Sequence, residues 1–375
     1  MNNNIKSSKI SAILFLIFIF SISLLYIFLP GKEYSETEKR YLSQFPQLSF
    51  QSVKDGSFEQ GFEKYLADQT PFRSFFVSVN SYYELLKGNN GSSGVYLGKN
   101  GWLIEKPFAR QNNFDRNLCR VNDFAKTSGI PSYLLIVPTK GSIYTEYLPK
   151  NSLKYNDIEL INSIDNRAPE LNNINIVTSF EKNKKSNLLY YKTDHHWTSE
   201  GAFIAYKSIC NALGFDAADE SLFSKEIIKD FYGTSFSTSC YTLTEPDTIT
   251  LMRNKKNNGK ARVIIEDGSK PEEYNNMFFE DALETADKYI VFLNGNHGLE
   301  RIITGNEGGK LFLIKDSFAH CMAPFLAENF SEIVMIDLRY YKKSVSQLIE
   351  NEKPSQILFL YGIDTFAESN DIILK

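Results

Sequence analysis

The stretch YYKTDHHWTSEGA, residues 190–202, brings an acid, two imidazoles and an indole into four consecutive positions. Two of the chain's four histidines are in it. Three readings fit these residue types: a set of metal ligands, the acid–base pair of a nucleophilic triad, or a capped helix start with no reaction of its own. Asp194 and His196 are two positions apart. In an extended segment that spacing sends both side chains to one side. The carboxylate then reaches Nδ1 of the imidazole and leaves Nε2 for a nucleophile. His195 would point the opposite way and build the loop. Trp197 would pack beneath the loop, with its indole N–H a candidate ligand contact.

A nucleophile for that pair stands far downstream. LFLIKDSFAH, residues 311–320, reads as a buried strand that ends in Lys315-Asp316-Ser317 and turns at once into a helix. A serine at such a turn is held at the carboxyl edge of a sheet, beside the N–H groups of a helix start that can receive an oxyanion. The plain alternative is a serine that only caps the helix. A metal site built on Asp-His-His needs further aspartates at strand ends, which this sequence does not supply. His195, His196 and His297 form the metal alternative to the expectation of none.

These residues have to be positioned by the elements around them. SYLLIVP, KLFLIK, EIVMID and QILFLYG are short apolar runs of the kind buried on both faces of a sheet. Helical stretches alternate with them through short connections. This pattern predicts an α/β fold with a doubly wound, parallel sheet. INIVTSF, residues 174–180, is a further strand candidate. Thr198 or Ser199 should cap a helix whose buried stripe is Ala202, Tyr206, Ile209 and Leu213, with Gly214 ending it. Lys140 and Arg339 follow two of the predicted strands, where they would line a site or serve only in ion pairs. Residues 215–305 are less regular and read as a β-rich insertion. Asn100-Gly101 between alternating runs signals a hairpin, and the main domain is expected to span 95–375.

The amino terminus bears on compartment. Residues 10–29, ISAILFLIFIFSISLLYIFL, carry no charge and are long enough to cross about 30 Å of hydrocarbon. Lys6 and Lys9 precede this run, so the positive-inside rule leaves a cytoplasmic tail at 1–9 and exports the remainder. No small-residue cleavage site follows, which favours an uncleaved single-pass anchor over a signal peptide. Residues 30–94 read as a juxtamembrane linker and helical segment. There Phe75, Phe76, Val79, Tyr83 and Leu86 form an apolar stripe expected to pack on the main domain. The net charge of −4 gives no electrostatic footprint for nucleic acid. Cys119, Cys210, Cys240 and Cys321 are too far apart in sequence for a zinc knuckle. They read as buried small hydrophobes, with disulfides the alternative in an oxidising compartment.

TDHHWTSEGA together with IKDSF resembles the DHHW protein family, which is related to the SGNH-hydrolase-like domain of the alginate O-acetylation proteins AlgX and AlgJ. EKRYLSQFP, FEKYLADQTPFR, GVYLGKNGWL, IVPTKGSIYTEYLP, NGNHG and IDLRYY agree with it, so the resemblance covers roughly residues 33–362. It implies an SGNH-like α/β fold in circularly permuted order, with Ser317 as nucleophile, His196 as base and Asp194 as orienter. The implied activity is transfer of an acyl group, usually acetyl, to an exported or cell-wall polysaccharide, without a cofactor. The implied partner is a membrane-bound O-acyltransferase that supplies the acyl group across the bilayer. Lys315 stands where ordinary SGNH enzymes have glycine. The oxyanion blocks of those enzymes are not recognisable either, and Gly295 and Asn296 are the best candidates for that role. The alternatives are an esterase using the same triad and a non-catalytic glycan-binding or scaffold module.

Overall fold

A computed structural model of the chain describes residues 2–107, 112–268 and 270–374. Met1 of the expected tail, and residues 108–111, 269 and 375 of the expected main domain, lie outside the described residues. The chain divides into two compact units, one made of residues 1–88 with 240–242 and the other of 89–239 with 243–375.

The first unit begins with helix α1 (Asn2–Phe28), whose window Lys9–Tyr26 is long and apolar enough to cross a membrane. A two-strand ribbon, β1 (Tyr34–Ser35) and β2 (Arg40–Tyr41), and the helices α2 (Phe50–Lys54), α3 (Ser57–Asp68) and α4 (Arg73–Leu86) complete it. Arg40 and Arg73 pin the ribbon to the helices through Glu38 and Asp68. The stripe on α4 is not packed away as its spacing suggested. Phe75, Phe76, Val79, Tyr83 and Leu86 are all exposed, and the buried positions of the helix are Ser78 and Ser81.

The second unit opens with a three-stranded sheet of β3 (Gly91–Ser92), β4 (Val95–Leu97) and β5 (Leu103–Glu105). Asn100 and Gly101 make the turn of its β4–β5 hairpin, and both have the positive φ that such turns require. Next come α5 (Asn112–Ser128), β6 (Ser132–Val137), α6 (Lys140–Ile143), α7 (Asp157–Arg167), β7 (Asn172–Asn173), α8 (Val177–Asn183) and α9 (Ser199–Leu213). The hairpin β8 (Phe223–Phe231) and β9 (Asp247–Asn254) encloses α10 (Thr234–Ser239). The remaining elements are β10 (Arg262–Ile265), β11 (Glu272–Tyr274), β12 (Leu299–Ile303), β13 (Lys310–Lys315), α11 (Ala319–Leu326), β14 (Glu332–Ile336), α12 (Val345–Glu352), β15 (Gln356–Gly362) and α13 (Ile363–Glu368).

The central sheet has the order β11-β10-β12-β14-β13-β15-β6-β7. Strands β14, β13, β15, β6 and β7 are parallel, whereas β12, β10 and β11 continue the sheet antiparallel. The sheet is therefore mixed rather than purely parallel, because the irregular region 215–305 contributes strands to its edge as well as the separate β8–β9 hairpin. The run INIVTSF is not a strand. Only Asn172 and Asn173 pair with β6, and Val177 already starts α8.

Period-two alternation divides each central strand between two cores. Leu311, Leu313, Leu358 and Leu360 pack with α9 and α11 on one face. Phe312, Ile314, Ile357 and Phe359 pack with α5, α12 and α13 on the other. The result is three layers, with the carboxyl ends of β6, β13, β14 and β15 along one edge. No disulfide joins any of the cysteines, and Cys210, Cys240 and Cys321 are buried.

Candidate active site

Two chain segments meet at that edge. The first is the DHHW loop, closed by a bridge between Tyr190 and Trp197 and by the bond from Thr198 N–H to Leu189 O, 2.9 Å. Thr198 then caps α9, accepting from Gly201 N–H. The loop is bent rather than extended, so the same-side argument from spacing does not apply. Asp194 meets His196 through a local turn, in which its Oδ1 accepts from His196 N–H at 2.9 Å and from His196 Nδ1–H at 2.6 Å. The second segment leaves β13 at Lys315. Asp316 folds back to accept from Phe318 N–H (3.0 Å) and from Gly362 N–H at the end of β15 (2.8 Å). This lifts Ser317 onto the turn ahead of α11. Trp197 joins the two segments, its indole N–H donating to Phe318 O at 3.0 Å.

The junction brings Ser317 Oγ to 2.7 Å from His196 Nε2. With Nδ1–H given to Asp194, Nε2 is the free acceptor that faces the serine hydroxyl. Every acceptor position of Asp194 is used. Its Oδ2 accepts from Thr234 N–H (2.7 Å) and Thr234 Oγ1–H (3.0 Å). Burial by itself would raise this carboxyl, but the imidazoles of His196 and His195 and the bonds from His196 hold it well below the usual carboxylate range. Asp194 is thus a fixed anion that orients the imidazole of His196. Asp316 is the reverse case: burial raises its carboxyl, opposed by the Phe318 and Gly362 N–H groups. Its work is to shape the turn.

The neighbouring groups correct several expectations. His195 does not point away from His196. The two rings lie 3.9 Å apart, and His195 Nδ1 is 2.6 Å from Thr234 Oγ1. Burial, then the neighbouring His196, pushes the His195 imidazole down to about 4. Trp197 is fully buried with its N–H spent inside the protein, so it does not face a ligand. Lys140 is among the residues that line the small cleft beside His195, but its ammonium is held inside the protein. It is buried beneath the DHHW loop, with Nζ donating to Asp194 O at 2.6 Å and lying 3.4 and 3.3 Å from Tyr191 O and Lys192 O. Glu105 Oε2 balances it at 3.6 Å. Gly295 has φ +89° and gives its N–H to Phe292 O, which removes it as an oxyanion donor. Arg339 pairs with Asp337 and reaches Asn296 Oδ1 at 3.1 Å, so it holds the NGNHG turn. His297 is tied to Asp267 Oδ2 at 2.7 Å and to Asn294 O. Among the described residues nothing accepts a hydrogen bond from Ser317 N–H.

Other participants carried no motif. Thr234 binds the far oxygen of Asp194. Gly233 beside it approaches so closely that a Cβ there would lie 2.1 Å from Asp194 Cβ. Tyr289 stacks flat on His196 at 4.1 Å, and its hydroxyl donates to Ser317 O at 3.4 Å. Asp247 accepts from Thr193 N–H and Thr193 Oγ1–H, at 2.7 and 2.6 Å, and supports the loop from behind. A small cleft beside His195 and Phe318 is lined by Thr139, Gly362 and Asp364. Asp194, His195 and His196 place potential metal-ligand atoms within 4.8 Å of one another. Both nitrogens of His196 and both oxygens of Asp194 are already bonded within the protein, so a cation would have to displace Ser317 or Thr234.

The model of a family described as DHHW protein matches residues 111–336. The chain belongs to the DHHW protein family. A curated relative of this DHHW protein, "Probable alginate O-acetylase AlgJ" of Pseudomonas putida, is 26% identical over 182 residues, covering 46% of this chain and 47% of the relative. The chain spans about half the length of the curated relatives it matches. Among solved structures, a DHHW family protein from Eubacterium siraeum is similar at TM-score 0.67 and 24% identity, covering 76% of this chain and 97% of that one. Bacillus cereus PatB1, solved with a sulfonyl adduct, follows at TM-score 0.63 and 20% identity, covering 73% of this chain and 96% of that one. At these identities the likeness of the two structures is one of fold.

Proposed function

We propose that this DHHW protein is a membrane-anchored, extracytoplasmic serine acyltransferase that O-acetylates an exported or cell-wall polysaccharide. The observation that carries the reading is the chain of contacts from Ser317 Oγ to His196 Nε2 (2.7 Å) and from His196 Nδ1 to Asp194 Oδ1 (2.6 Å). The curated relatives, named as O-acetylases, support acetyl as the group and polysaccharide as the acceptor. The apolar α1 supports an anchor, and a membrane-bound O-acyltransferase on the same membrane is the acyl source this reading implies.

The chemistry runs in two balanced halves. Ser317 Oγ attacks the acyl carbonyl as its proton passes to His196 Nε2. The donor's leaving group departs with that proton, and Ser317 carries the acyl ester. A sugar hydroxyl then gives its proton to His196 and attacks the ester, and Ser317 Oγ leaves and regains the proton. Each tetrahedral oxyanion would be received by backbone N–H groups at Ser317 and near Asn296. The order of the triad along the chain, acid and base before serine, fits a circularly permuted SGNH arrangement. With water as acceptor the same site is an esterase.

The test is release of nitrophenol from an acetyl-nitrophenyl ester, with and without a glycan acceptor. Wild type should turn over, and a glycan should raise the rate while becoming acetylated. Ser317→Ala and His196→Ala should each lose turnover. A sulfonyl fluoride should modify Ser317 and no other serine. Wild-type turnover in both variants refutes the triad. Turnover that glycan neither accelerates nor captures favours the esterase.

A further inference from the structure

Helix α4 is amphipathic in the reverse sense. Its inward face is small and polar: Ser78 and Ser81 are buried, and Ser78 Oγ lies 2.7 Å from Thr242 Oγ1. Its outward face carries Phe75, Phe76, Val79, Tyr83 and Leu86. Phe75 is 62% exposed and Leu86 85% exposed. A contiguous apolar face of this kind on a folded protein marks a surface that something else covers.

The surroundings of α4 within the same unit say what covers it. The Phe76 ring meets the Phe18 ring of α1 edge-on at 6.4 Å. The hydroxyl of Tyr26, at the end of the apolar window of α1, donates to Leu66 O and lies 3.2 Å from Thr70 Oγ1, just before α4 begins. An apolar cavity of about 720 Å³, lined by Leu25, Leu29, Tyr65, Phe72 and Phe75 among others, runs between the end of α1 and the start of α4. The stripe is therefore continuous with the apolar surface of the membrane helix, which it meets at Phe18, near the middle of the window Lys9–Tyr26.

We propose that the outward face of α4 is a lipid-contacting surface beside α1, its occupant being phospholipid acyl chains. This inference rests on the reading of α1 as a membrane anchor. It makes the first unit a two-point attachment, with one helix crossing the bilayer and a second touching its acyl chains.

The full chain is reconstituted into phosphatidylcholine–phosphatidylglycerol vesicles, with or without lipid brominated near the head of the acyl chain. Phe75→Trp reports on the start of the stripe and Leu86→Trp on its end. The native Trp102 and Trp197 are buried and give a constant background. The expected result is that the added emission falls by about half in brominated vesicles while iodide in the buffer leaves it unchanged. Iodide quenching without bromolipid quenching means a face in water and overturns the inference. Protection from both quenchers means that a protein surface covers the face, which also overturns it. If the chain floats with the vesicles but the added tryptophans are not quenched by bromolipid, this inference fails and the anchor stands. If the chain does not float, both fail. If one variant does not fold, the other reads the same face.

Discussion

Asp194→Asn keeps the shape of the loop and removes one charge. Asp194 accepts four hydrogen bonds: two from His196 (N–H and Nδ1–H) and two from Thr234 (N–H and Oγ1–H). An amide can present an acceptor to only one of these pairs. With its NH₂ towards His196, Nδ1 must become the acceptor and the proton moves to Nε2, where it opposes the Ser317 hydroxyl. With its NH₂ towards Thr234, the amide faces the fixed backbone N–H of Thr234. Either orientation leaves one buried donor unmatched, at about 1–3 kcal/mol of stability. The rate is hit harder, because the imidazole loses both its required tautomer and the anion that stabilises its charged form. A loss of about 10⁴ in kcat is expected, equivalent to roughly 5.5 kcal/mol of barrier. The assay is turnover of an acetyl-nitrophenyl ester under saturating substrate, with near-ultraviolet circular dichroism to confirm that the variant is folded. A folded Asp194→Asn protein within tenfold of wild type would refute the role assigned to the carboxylate.

Gly233→Ala places a methyl group against Asp194 Cβ; destabilisation of about 1–3 kcal/mol and loss of turnover should follow, read by thermal melting and the same ester assay. Lys140→Met deprives Asp194 O, Tyr191 O and Lys192 O of their shared donor and should cost about 3–5 kcal/mol in a urea titration. His320 is buried with Nε2 2.7 Å from Lys315 Nζ, and burial, then that ammonium, holds its imidazole well below the ordinary value. A depressed folded value means stability that is complete above about pH 6.5 and lost as the unfolded chain takes up the proton below it, at about 1.4 kcal/mol per pH unit. Between pH 6.5 and 5 wild type should therefore lose about 2 kcal/mol more than His320→Gln, measured as the shift in denaturation midpoint.

The side chains of the proposed triad could be singled out in the sequence because each sits in a local pattern with a mechanical meaning. An apolar run that breaks into Asp-Ser before a helix describes a strand-end turn, and Asp-x-His before a capped helix describes an oriented base. What holds them in place was not legible. Thr234 reaches Asp194 across 40 residues, and Tyr289 stacks on His196 from a region with no regular pattern. Lys140 was visible as a residue after a strand, yet its role depends on the carbonyls of a loop that closes over it. The sheet was read correctly where strands alternate with helices and wrongly at its antiparallel edge. There the strands are separated by loops that carry no helix period. The stripe on α4 shows the limit of periodicity: spacing identifies an apolar face but not what meets it.

The Ser317–His196 contact spans 121 residues of sequence. A chain made from its amino terminus therefore presents Asp194 and His196 well before its serine exists, on the order of ten seconds earlier at usual synthesis rates. The Trp197–Phe318 bond and the Asp316–Gly362 clamp both wait for the same late segment. Until β15 has been added, the acid and base have no nucleophile and the turn that will carry it has no partner strand. On the proposed function, the nascent protein would be inert towards acyl donors until the last strand of the sheet is in place.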